Sequence, residues 1–416
     1  MMAFHQFPGS VPIPKAFRQG THRVVSPQET LARAKPMLAK AGITRIADVT
    51  GLDRIGVPVV MVCRPNSRSL AVSQGKGLTL EAARASGVME SLELYHAENI
   101  LLPLKLSTYE QLRSGHRVVK VTKLPSIKNS LFHPHLQILW IEGQDLFDGL
   151  STWLPFECVH TSASSPYPAG SGCFSITSNG LASGNHKLEA MVHGICEVVE
   201  RDAVALWNAR SREKRARTLL DLASIDDPNC QQVVQCCESA GNIVAVWDIT
   251  SDIGLPAFMC RIAEREYESL YAVRFFCGMG CHTTREIGLL RALTEAVQSR
   301  LTYISGSRDD LFRYEYATAP DPEAAALHAE MFAQPGVALR KFRDVPNFDT
   351  ETFDDDLAIL LAHLRAVGID SVITVDLTRP EFGIAVVRVV IPGLEGPDAE
   401  PVYVPGARAR AVREQS

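Results

Sequence analysis

Gly184-Asn185-His186-Lys187-Leu188-Glu189, continued by Glu197-Val198-Val199-Glu200-Arg201-Asp202, gives the strongest indication of how this chain is built. An α-helix turns by about 100° per residue, so Glu189, Glu197 and Glu200 lie within roughly 80° of one another on a predicted helix. Apolar residues occupy much of the remaining circumference, so the acidic face is not expected to point freely into water. Buried carboxylates repel one another unless cations neutralise them. The pattern predicts a cation-binding face, and a solvated acidic face with an internal salt bridge is the alternative.

A second predicted helix carries another pair of carboxylates. Glu90 and Glu93 are three positions apart, among small and apolar neighbours, and therefore share a helix face. Both acidic helices follow a glycine-containing stretch, Ser73-Gln74-Gly75-Lys76-Gly77 in one case and Asn179 to Asn185 in the other. Glycine loops let backbone N–H groups approach an anion, and carboxylate pairs are ligands for hard ions such as Mg²⁺. Together these features predict a nucleotide polyphosphate bound through metal ions.

A third glycine-containing stretch, Cys277-Gly278-Met279-Gly280-Cys281, precedes another predicted helix. This helix carries Gln298 and Arg300, two side chains that could reach phosphate oxygens. From this segment alone it is equally plausible that the two side chains lie on an exposed helix end and only keep the protein soluble. In the functional interpretation the three glycine stretches converge on one cleft, and Arg300 approaches the same phosphate region as Arg201.

Composition places the chain among globular proteins of enzyme size. Its 416 residues are 46% apolar and 21% charged, with a net charge of −5. This length and apolar content are enough for one large core or two ordinary ones. No basic run typical of nucleic-acid binding stands out. The longest apolar runs have the length of strands and are too short to span a membrane. Residues 1–20 lack the apolar core of a signal peptide, so we expect a cytoplasmic protein.

The ten cysteines are spread over the whole chain. This distribution favours reduced, buried thiols over a disulfide framework. Cys277 and Cys281 with His282 have a spacing similar to that of zinc ligands, but no second ligand pair accompanies them. We therefore predict structural thiols at these positions.

The order of predicted elements indicates a mixed α/β fold with long helices. A strand, a second strand, a glycine loop and a long helix recur three times, which suggests an internally repeated core. The strands of the three units are predicted at 57–63 and 69–72, at 137–142 and 153–158, and at 242–249, 257–262 and 271–276. The proposed division of the chain is a lead-in at 1–64 with a helix near 27–41, a catalytic domain at 65–395, and a tail at 396–416.

These residues resemble the ATP-binding motifs of the YcaO superfamily. The resemblance rests on the first glycine stretch with Glu90 and Glu93, on the second acidic helix with Arg201, and on Gln298-Ser299-Arg300. It covers roughly residues 65 to 395. No Walker A sequence, dinucleotide fingerprint or kinase signature is present as an alternative. The resemblance implies a YcaO-like fold, with mixed sheets and long helices around an ATP cleft.

The resemblance also implies a chemistry and a set of site residues. YcaO proteins use ATP to phosphorylate a peptide backbone amide oxygen after a nucleophile attacks the amide carbon. The residues implied as ligands of Mg²⁺ ions bridging the triphosphate are Glu90, Glu93, Glu189, Glu197 and Glu200. The residues implied as nucleotide contacts are Ser73, Lys76, Asn185, Arg201, Gln298 and Arg300. Arg201 and Arg300 are also the implied catalytic cations, since they would stabilise charge on the transferred group.

The type of modification depends on the attacking nucleophile. A Cys, Ser or Thr side chain of the substrate gives an azoline, and an external sulfide gives a thioamide. The segments Ile46 to Pro58 and Ser305 to Asp310 are similar to YcaO proteins that work with a TfuA partner. That pairing implies thioamide formation with a sulfide source. An azoline-forming cyclodehydratase and a non-catalytic peptide-binding scaffold of the same fold remain alternatives.

The C-terminus departs from that of azoline-forming relatives, whose proline-rich tail reaches the active site. Here Arg408, Arg410 and Arg413 are expected to keep the tail solvated or partner-bound, because their mutual repulsion and hydration oppose burial. The expected partners are a ribosomally made peptide or protein substrate and a TfuA-type protein, with no nucleic acid and no membrane. The sequence leaves the oligomeric state open, a homodimer included.

Overall fold

The computed structural model describes residues 11–265, 275–310, 339–398 and 402–415. Its α-helices are α1 Pro27–Ala34, α2 Leu80–Glu98, α3 Tyr109–Arg113, α4 Lys187–Ala209, α5 Arg212–Ala216, α6 Pro228–Ser239, α7 Arg285–Ser305, α8 Phe353–Ala366 and α9 Ala407–Glu414. Its strands are β1 Arg45–Asp48, β2 Val59–Cys63, β3 Val72–Lys76, β4 Leu104–Ser107, β5 Ser126–Ile127, β6 Ile138–Asp145, β7 Ser151–Pro155, β8 Leu181–Gly184, β9 Asn242–Asp248, β10 Ala257–Glu264, β11 Phe276–Cys281, β12 Ile373–Asp376, β13 Ala385–Val390 and β14 Tyr403–Val404.

In the described part of the chain the strands form three sheets and a two-stranded ribbon. The strand order is β1-β2-β3 in the first sheet, β9-β10-β11 in the second, and β4-β6-β12-β13-β8 in the third, where β7 also pairs with β6. The ribbon joins β5 to β14. All of these pairs are antiparallel. The mixed α/β fold predicted from the sequence is confirmed.

The three long helices interlock with the sheets. Helix α2 packs on β3, α4 on β8 and β13, and α7 on β11. Each helix also contacts the strand that precedes another long helix: α2 contacts β8, α4 contacts β11, and α7 contacts β3. These contacts form a closed ring, so the faces of all three helices border one central space.

The three predicted glycine loops contain strands, which corrects the sequence interpretation. Gly75 lies in β3, where a Cβ atom would lie 2.0 Å from the carbonyl oxygen of Ala83 in α2. Gly278 and Gly280 in β11 face α7, with backbone oxygens at 2.2 and 2.0 Å from their Cβ positions. Only glycine permits such an approach of strand to helix. The glycines therefore serve strand–helix contact, and the second stretch likewise contains β8.

The second predicted unit differs in its strand order. Strands β6 and β7 occupy the predicted positions, but β8 pairs with β13 and not with β7. Residues 156–158 form a 3₁₀ turn after β7. Of the strand predicted at 271–276, residues 271–274 lie outside the described part, and β11 begins at Phe276. An internal duplication remains a prediction.

The lead-in segment is joined to the first sheet. Strand β1, which was not predicted, pairs with β2, and β2 pairs with β3. The proposed boundary at residue 64 falls between two strands of this sheet, and the division into three parts remains a proposal. Helix α1 begins at the predicted cap, where Ser26 Oγ accepts the N–H of Glu29 at 3.2 Å. It ends at Ala34, earlier than predicted, because Pro36 lacks the N–H that continues a helix.

The C-terminal segment is folded, and the expectation of a solvated tail is wrong for Arg408. Strand β14 pairs with β5, and α9 packs on α4. Arg408 forms an ion pair at 2.9 Å with Asp202 of α4, whose buried carboxylate compensates the charge of the arginine. Arg410 and Arg413 are exposed on α9.

The ten cysteines are free thiols, and six of them are buried. Among the described residues, no helix combines the length and the apolar character needed to cross a bilayer.

Gly75→Ala is expected to destabilise the fold. The new methyl group must displace the backbone of α2, because Ala83 O and Gly87 N lie 2.0 and 2.1 Å from the Cβ position. We expect the free energy of unfolding, measured by urea denaturation, to fall by about 3 kcal/mol or more. Gly115→Ala is the matched control, since no described residue other than its own chain neighbours comes within 4 Å of its Cβ position. Equal losses in the two variants would contradict the role assigned to Gly75.

Candidate active site

A cleft with a volume of about 1070 Å³ lies where α2, α4 and α7 meet. Its size is at the upper end of the range for small-molecule sites. The acidic side chains that line it are Glu90, Glu93, Glu189, Glu197, Glu200, Glu295 and Asp310. The basic side chains that line it are Arg23, Lys76, Arg201, Arg291 and Arg308. The five glutamates predicted as metal ligands are thus brought together in one space, and acidic groups outnumber basic ones.

Glu90 and Glu93 project from α2 into the cleft. Ser183 of β8 donates its N–H and its hydroxyl to Glu93 Oε1 at 2.8 and 2.6 Å. Both carboxylates reach the interior of the cleft but are otherwise surrounded by protein. Burial raises the pKa of Glu90 to about 7 and that of Glu93 to about 8. Nearby positive charge is therefore too weak to compensate for the lost hydration of either carboxylate.

The carboxylates of α4 show the same effect. Burial raises the pKa of Glu197 to about 7 and shifts the pKa of Glu200 in the same direction. Cys281 donates its backbone N–H to Glu200 Oε2 at 3.0 Å, which fixes this side chain against β11. A divalent cation would restore the charge balance that the protein itself does not provide here.

Arg201 lies beside these carboxylates and lines the cleft. Its guanidinium is 3.5 Å from Glu200 Oε1 and donates to Met279 Sδ at 2.9 Å. Burial alone would lower the pKa of Arg201, but Glu200, Glu295 and Glu197 outweigh burial and raise it. Arg201 therefore remains charged in the field of the three glutamates, although its ion pair with Glu200 is long.

Glu189 and Asn185 are held by the N-terminal segment. Val24 donates its N–H to Glu189 Oε2 at 2.8 Å, and the Arg23 guanidinium lies 3.6 Å from Oε1. Asn185 Nδ2 donates to Thr30 Oγ1 at 3.0 Å. Glu189 thus already has a hydrogen bond and a cation beside it within the chain, and its assignment as a metal ligand stays a proposal.

Helix α7 supplies residues that the sequence interpretation identified only in part. Arg291, Glu295 and Gln298 are four and three positions apart, so they share one helix face, and all three line the cleft. Lys76 Nζ lies 2.7 Å from Glu295 Oε2. Burial would raise the pKa of Glu295, but Lys76 and Arg201 outweigh it and lower the pKa. Arg291 and Glu295 were not predicted as site residues, although the helical period that includes Gln298 also includes them.

Arg300 was predicted to contact the nucleotide, but it does not line the cleft. Two positions beyond Gln298, it lies about 200° around the helix from that residue. Its guanidinium forms ion pairs with Asp53 at 2.6 Å and with Glu264 at 2.8 Å. Arg300 is therefore corrected to a residue that links α7 to the lead-in segment and to β10.

Ser73 is also absent from the cleft lining, whereas Lys76 is present. Successive residues of a strand face opposite sides, so Ser73 shares the side of Gly75, which faces α2. Gln74 and Lys76 share the opposite side and line the cleft. The prediction of Ser73 as a nucleotide contact is wrong because it assumed a loop where the chain forms a strand.

The remaining side chains of the cleft fit a polyphosphate bound with Mg²⁺. Carboxylate oxygens on α2 and α4 form a donor set of the type that Mg²⁺ prefers. Gln298 Oε1 and His193 Nδ1 are buried without a hydrogen-bond partner among the described residues, and both side chains line the cleft. Such atoms acquire a partner when a polar ligand binds. Neither His193 nor Arg23 was predicted, because no periodic pattern singled them out.

A separate group, His22, His282 and Asp356, has ligand atoms within 4.8 Å of one another. Asp356 is paired with Lys15 at 2.7 Å, and Thr284 donates its backbone N–H to His282 Nδ1 at 2.9 Å. A neutral histidine that accepts at Nδ1 carries its proton on Nε2, so His282 offers no free lone pair. The group joins the N-terminal segment to the connection between β11 and α7 and to α8.

Comparison with known sequences gives a family for this fold and site. The sequence profile of a family described as YcaO cyclodehydratase, ATP- and Mg²⁺-binding, matches residues 74–395. A Rhizobium leguminosarum bv. trifolii protein, described as an uncharacterized protein in the tfuA 3′ region, is 35% identical over 377 residues, 90% of this chain and 88% of that protein. An uncharacterized protein of Methanothermobacter thermautotrophicus is 34% identical over 395 residues, 94% of this chain and 99% of that protein.

Solved structures show the same architecture. YcaO from Methanopyrus kandleri, bound with AMPPCP and Mg²⁺, has a TM-score of 0.72 at 21% identity, covering 94% of this chain and 98% of its own. A heterocyclase in complex with substrate and cofactor has a TM-score of 0.76 at 23% identity, covering 92% of this chain, which spans 54% of that one. At these identities the likeness concerns the fold. Because the family profile matches more than half of the sequence and relatives exceed 30% identity over most of it, the chain belongs to the YcaO family.

Proposed function

We propose that this chain is an ATP-dependent enzyme that activates a peptide backbone amide by O-phosphorylation, and that it forms thioamides with a TfuA-type partner and a sulfide source. The observation that carries the proposal is the convergence of Glu90 and Glu93 from α2 with Glu197 and Glu200 from α4 on one cleft. The raised pKa values of these groups mark a negative cluster that the protein leaves without full compensation. Divalent cations with a triphosphate would complete it.

The residues of the cleft divide into metal-binding and phosphate-binding groups. The proposed Mg²⁺ ligands are Glu90, Glu93, Glu197 and Glu200, with Glu189 as a further ligand. The proposed nucleotide contacts are Lys76, Asn185, Arg201, Arg291 and Gln298. When bound, ATP supplies the phosphoryl group that turns an amide oxygen into a leaving group, and Mg²⁺ neutralises the charge of the triphosphate.

Arg201 and Arg291 are the proposed cations for the charge that develops during transfer. Arg291 forms no ion pair within the described part of the chain, and its guanidinium makes one long contact, 3.5 Å to the carbonyl of Cys281. The ion pair that Arg201 forms with Glu200 is equally long, at 3.5 Å. Guanidinium groups that are fixed in a cleft but weakly paired bind phosphate oxygens without first breaking a strong internal bond.

Three observations support the thioamide branch. The Rhizobium relative is named for its place in the tfuA 3′ region. The segments at 46–58 and 305–310 resemble those of TfuA-associated proteins. In azoline-forming relatives a proline-rich tail reaches the active site, whereas the described residues after 395 do not line the cleft of this chain. The attacking sulfur would then come from outside the peptide.

An azoline-forming cyclodehydratase is the second candidate. The matching family is that of the YcaO cyclodehydratases, and one structural neighbour is a heterocyclase in complex with substrate and cofactor. Apolar side chains such as Phe17, Leu78 and Leu290 line part of the cleft. They offer a surface for a peptide side chain next to the proposed phosphate site in either branch.

Glu200→Gln is expected to weaken binding of ATP in the presence of Mg²⁺ by at least about tenfold, equal to about 1.4 kcal/mol, and to abolish turnover. The exchange preserves volume and removes the charge that a hard cation requires. Calorimetry with ATP and Mg²⁺ measures the effect, and Glu90→Gln should behave in the same way. Glu238→Gln, on the exposed face of α6, is the control. Wild-type affinity and turnover in both cleft variants would contradict the metal assignment.

The affinity for ATP with Mg²⁺ is expected to rise with pH between about 6 and 8, because ligand carboxylates must lose their protons to bind the metal. The pKa values of about 7 for Glu90 and Glu197 and about 8 for Glu93 place this change near neutrality. These folded-state values exceed those of exposed carboxyls, so each of these carboxyls binds more proton in the metal-free folded state than in the unfolded state over this range. Their contribution to stability should therefore fall as pH rises. Buried histidines such as His22 and His160, whose pKa values are lowered to about 3 and about 4, contribute in the opposite direction.

Melting temperatures in EDTA and in Mg²⁺ with ATP, measured across this pH range, test the expectation. Glu93→Gln removes one titrating carboxyl, so its metal-free melting temperature should rise relative to that of the wild type between pH 6 and pH 8, whereas that of Glu238→Gln should not. The same pH dependence in Glu93→Gln and in the wild type would show that this carboxyl does not titrate in the range.

The reaction branch is tested by mass spectrometry of candidate peptides encoded beside the gene. Each peptide is incubated with this protein, ATP, Mg²⁺, a TfuA-type protein and sulfide, with Glu200→Gln as the inactive control. A mass gain equal to the exchange of oxygen for sulfur is expected. Loss of one water would favour the cyclodehydratase. If no peptide changes in an ATP-dependent manner, the proposal fails and a non-catalytic scaffold becomes the better account.

A further inference from the structure

The C-terminal segment is bound to the back of α4. Asp202 directly follows Arg201 but lies about 160° around the helix from Glu200. Its side chain is fully buried and accepts Arg408 Nε at 2.9 Å and Nη2 at 3.0 Å. Glu395 adds its backbone N–H to the same carboxylate at 2.9 Å. A paired arginine and carboxylate with two parallel hydrogen bonds has a fixed relative orientation.

A second buried carboxylate organises the segment that carries Arg408. Glu395 is 3% exposed and accepts the Tyr403 hydroxyl at 2.8 Å. It also accepts the backbone N–H groups of Gly406 at 2.7 Å and Ala409 at 2.9 Å. The start of α9 is therefore held at a defined position, and Arg408 projects from it onto α4.

Arg408 also connects α4 to the second sheet. Its Nη1 donates to Asp252, in the loop after β9, at 3.2 Å. Cys281 of β11, in that same sheet, donates to Glu200 on the cleft side of α4. Helix α4 is thus fixed with respect to the second sheet from both sides, by Glu200 at the front and by Asp202 at the back.

We propose that Arg408 is a positioning residue for the carboxylates of α4, an inference that rests on the proposed function. Side chains on a helix lie about 5 Å from its axis, so a rotation of about 10° displaces a carboxylate by about 1 Å. Metal and catalytic sites require their ligands to be held within about 0.5 Å. The pair of Arg408 with Asp202 prevents this rotation from the side opposite Glu197 and Glu200.

Arg408→Lys is the test variant. Lysine keeps the positive charge beside Asp202 but cannot form the two parallel hydrogen bonds. Removal of the charge is avoided because it would leave a buried carboxylate without a partner and endanger the fold. Arg410→Lys is the matched control, since Arg410 lies on the exposed side of the same helix and its guanidinium donates only to Pro405 O at 2.7 Å among the hydrogen bonds of the described residues.

Calorimetry with AMPPCP is performed in Mg²⁺ and in EDTA, together with thermal melting. For Arg408→Lys we expect affinity in Mg²⁺ to fall by about tenfold, the size of effect that second partners of metal ligands typically have. Affinity in EDTA and the melting temperature should change little. A variant that merely loosens the fold would lower both affinities and the melting temperature together, and that result would overturn the proposal.

Wild-type affinity of Arg408→Lys in Mg²⁺ would also overturn the proposal while leaving the proposed function intact. If wild-type protein itself binds no AMPPCP in Mg²⁺, the proposed function fails and this inference fails with it. If Arg408→Lys does not fold, the double variant Asp202→Asn with Arg408→Gln removes both charges at once and is judged by the same criteria.

Discussion

Direct backbone contact between strand and helix sets the geometry on which the cleft depends. At Gly75 and Gly280 the strand lies so close to the following helix that a methyl group would fall 2.0 Å from a backbone oxygen. Gly184 approaches the start of α4 in the same way, with Ala190 N at 2.8 Å from its Cβ position. Each of these helices also contacts the strand that precedes another long helix. As a result, acidic residues that are far apart in sequence share one space.

Helix α2 carries carboxyls whose pKa values are shifted in opposite directions. Glu98 forms two hydrogen bonds with Arg64, at 2.6 and 2.7 Å. Burial alone would raise the pKa of Glu98, but Arg64 and Ser69 outweigh burial and lower it. Glu90 and Glu93 lack such a partner, and their pKa values are raised. The protein thus compensates the charge of Glu98, which joins α2 to Arg64, and leaves the charges of the cleft carboxylates only partly compensated, in keeping with their proposed role as metal ligands.

Local periodicity was enough to predict the acidic faces of the two helices. Predicting that Glu197 and Glu200 share one face, and that Glu90 and Glu93 share another, required only the geometry of a helical turn. The structure places all four side chains in the cleft. Arg300 was misassigned because the resemblance to the motif Gln298-Ser299-Arg300 was applied without the helical phase, which places Arg300 on the side away from the cleft. The glycine stretches were misread because glycine marks both loops and close contacts between backbones. Contacts such as Arg23 with Glu189, or Asp202 with Arg408 across more than two hundred residues, had no local signal because they depend on the path of the chain in space.

The pairing of β8 with β13 has a consequence for biosynthesis. Strand β8 leads directly into α4, yet its ladder partner in the described structure spans Ala385–Val390, close to the C-terminal end. A chain emerging from the ribosome presents β8 long before β13 has been translated. The strand that leads into α4 therefore gains its ladder partner late in synthesis, and the third sheet depends on contacts between distant parts of the chain. Contacts of such large sequence separation form slowly, because the entropy of closing the loop must be overcome first.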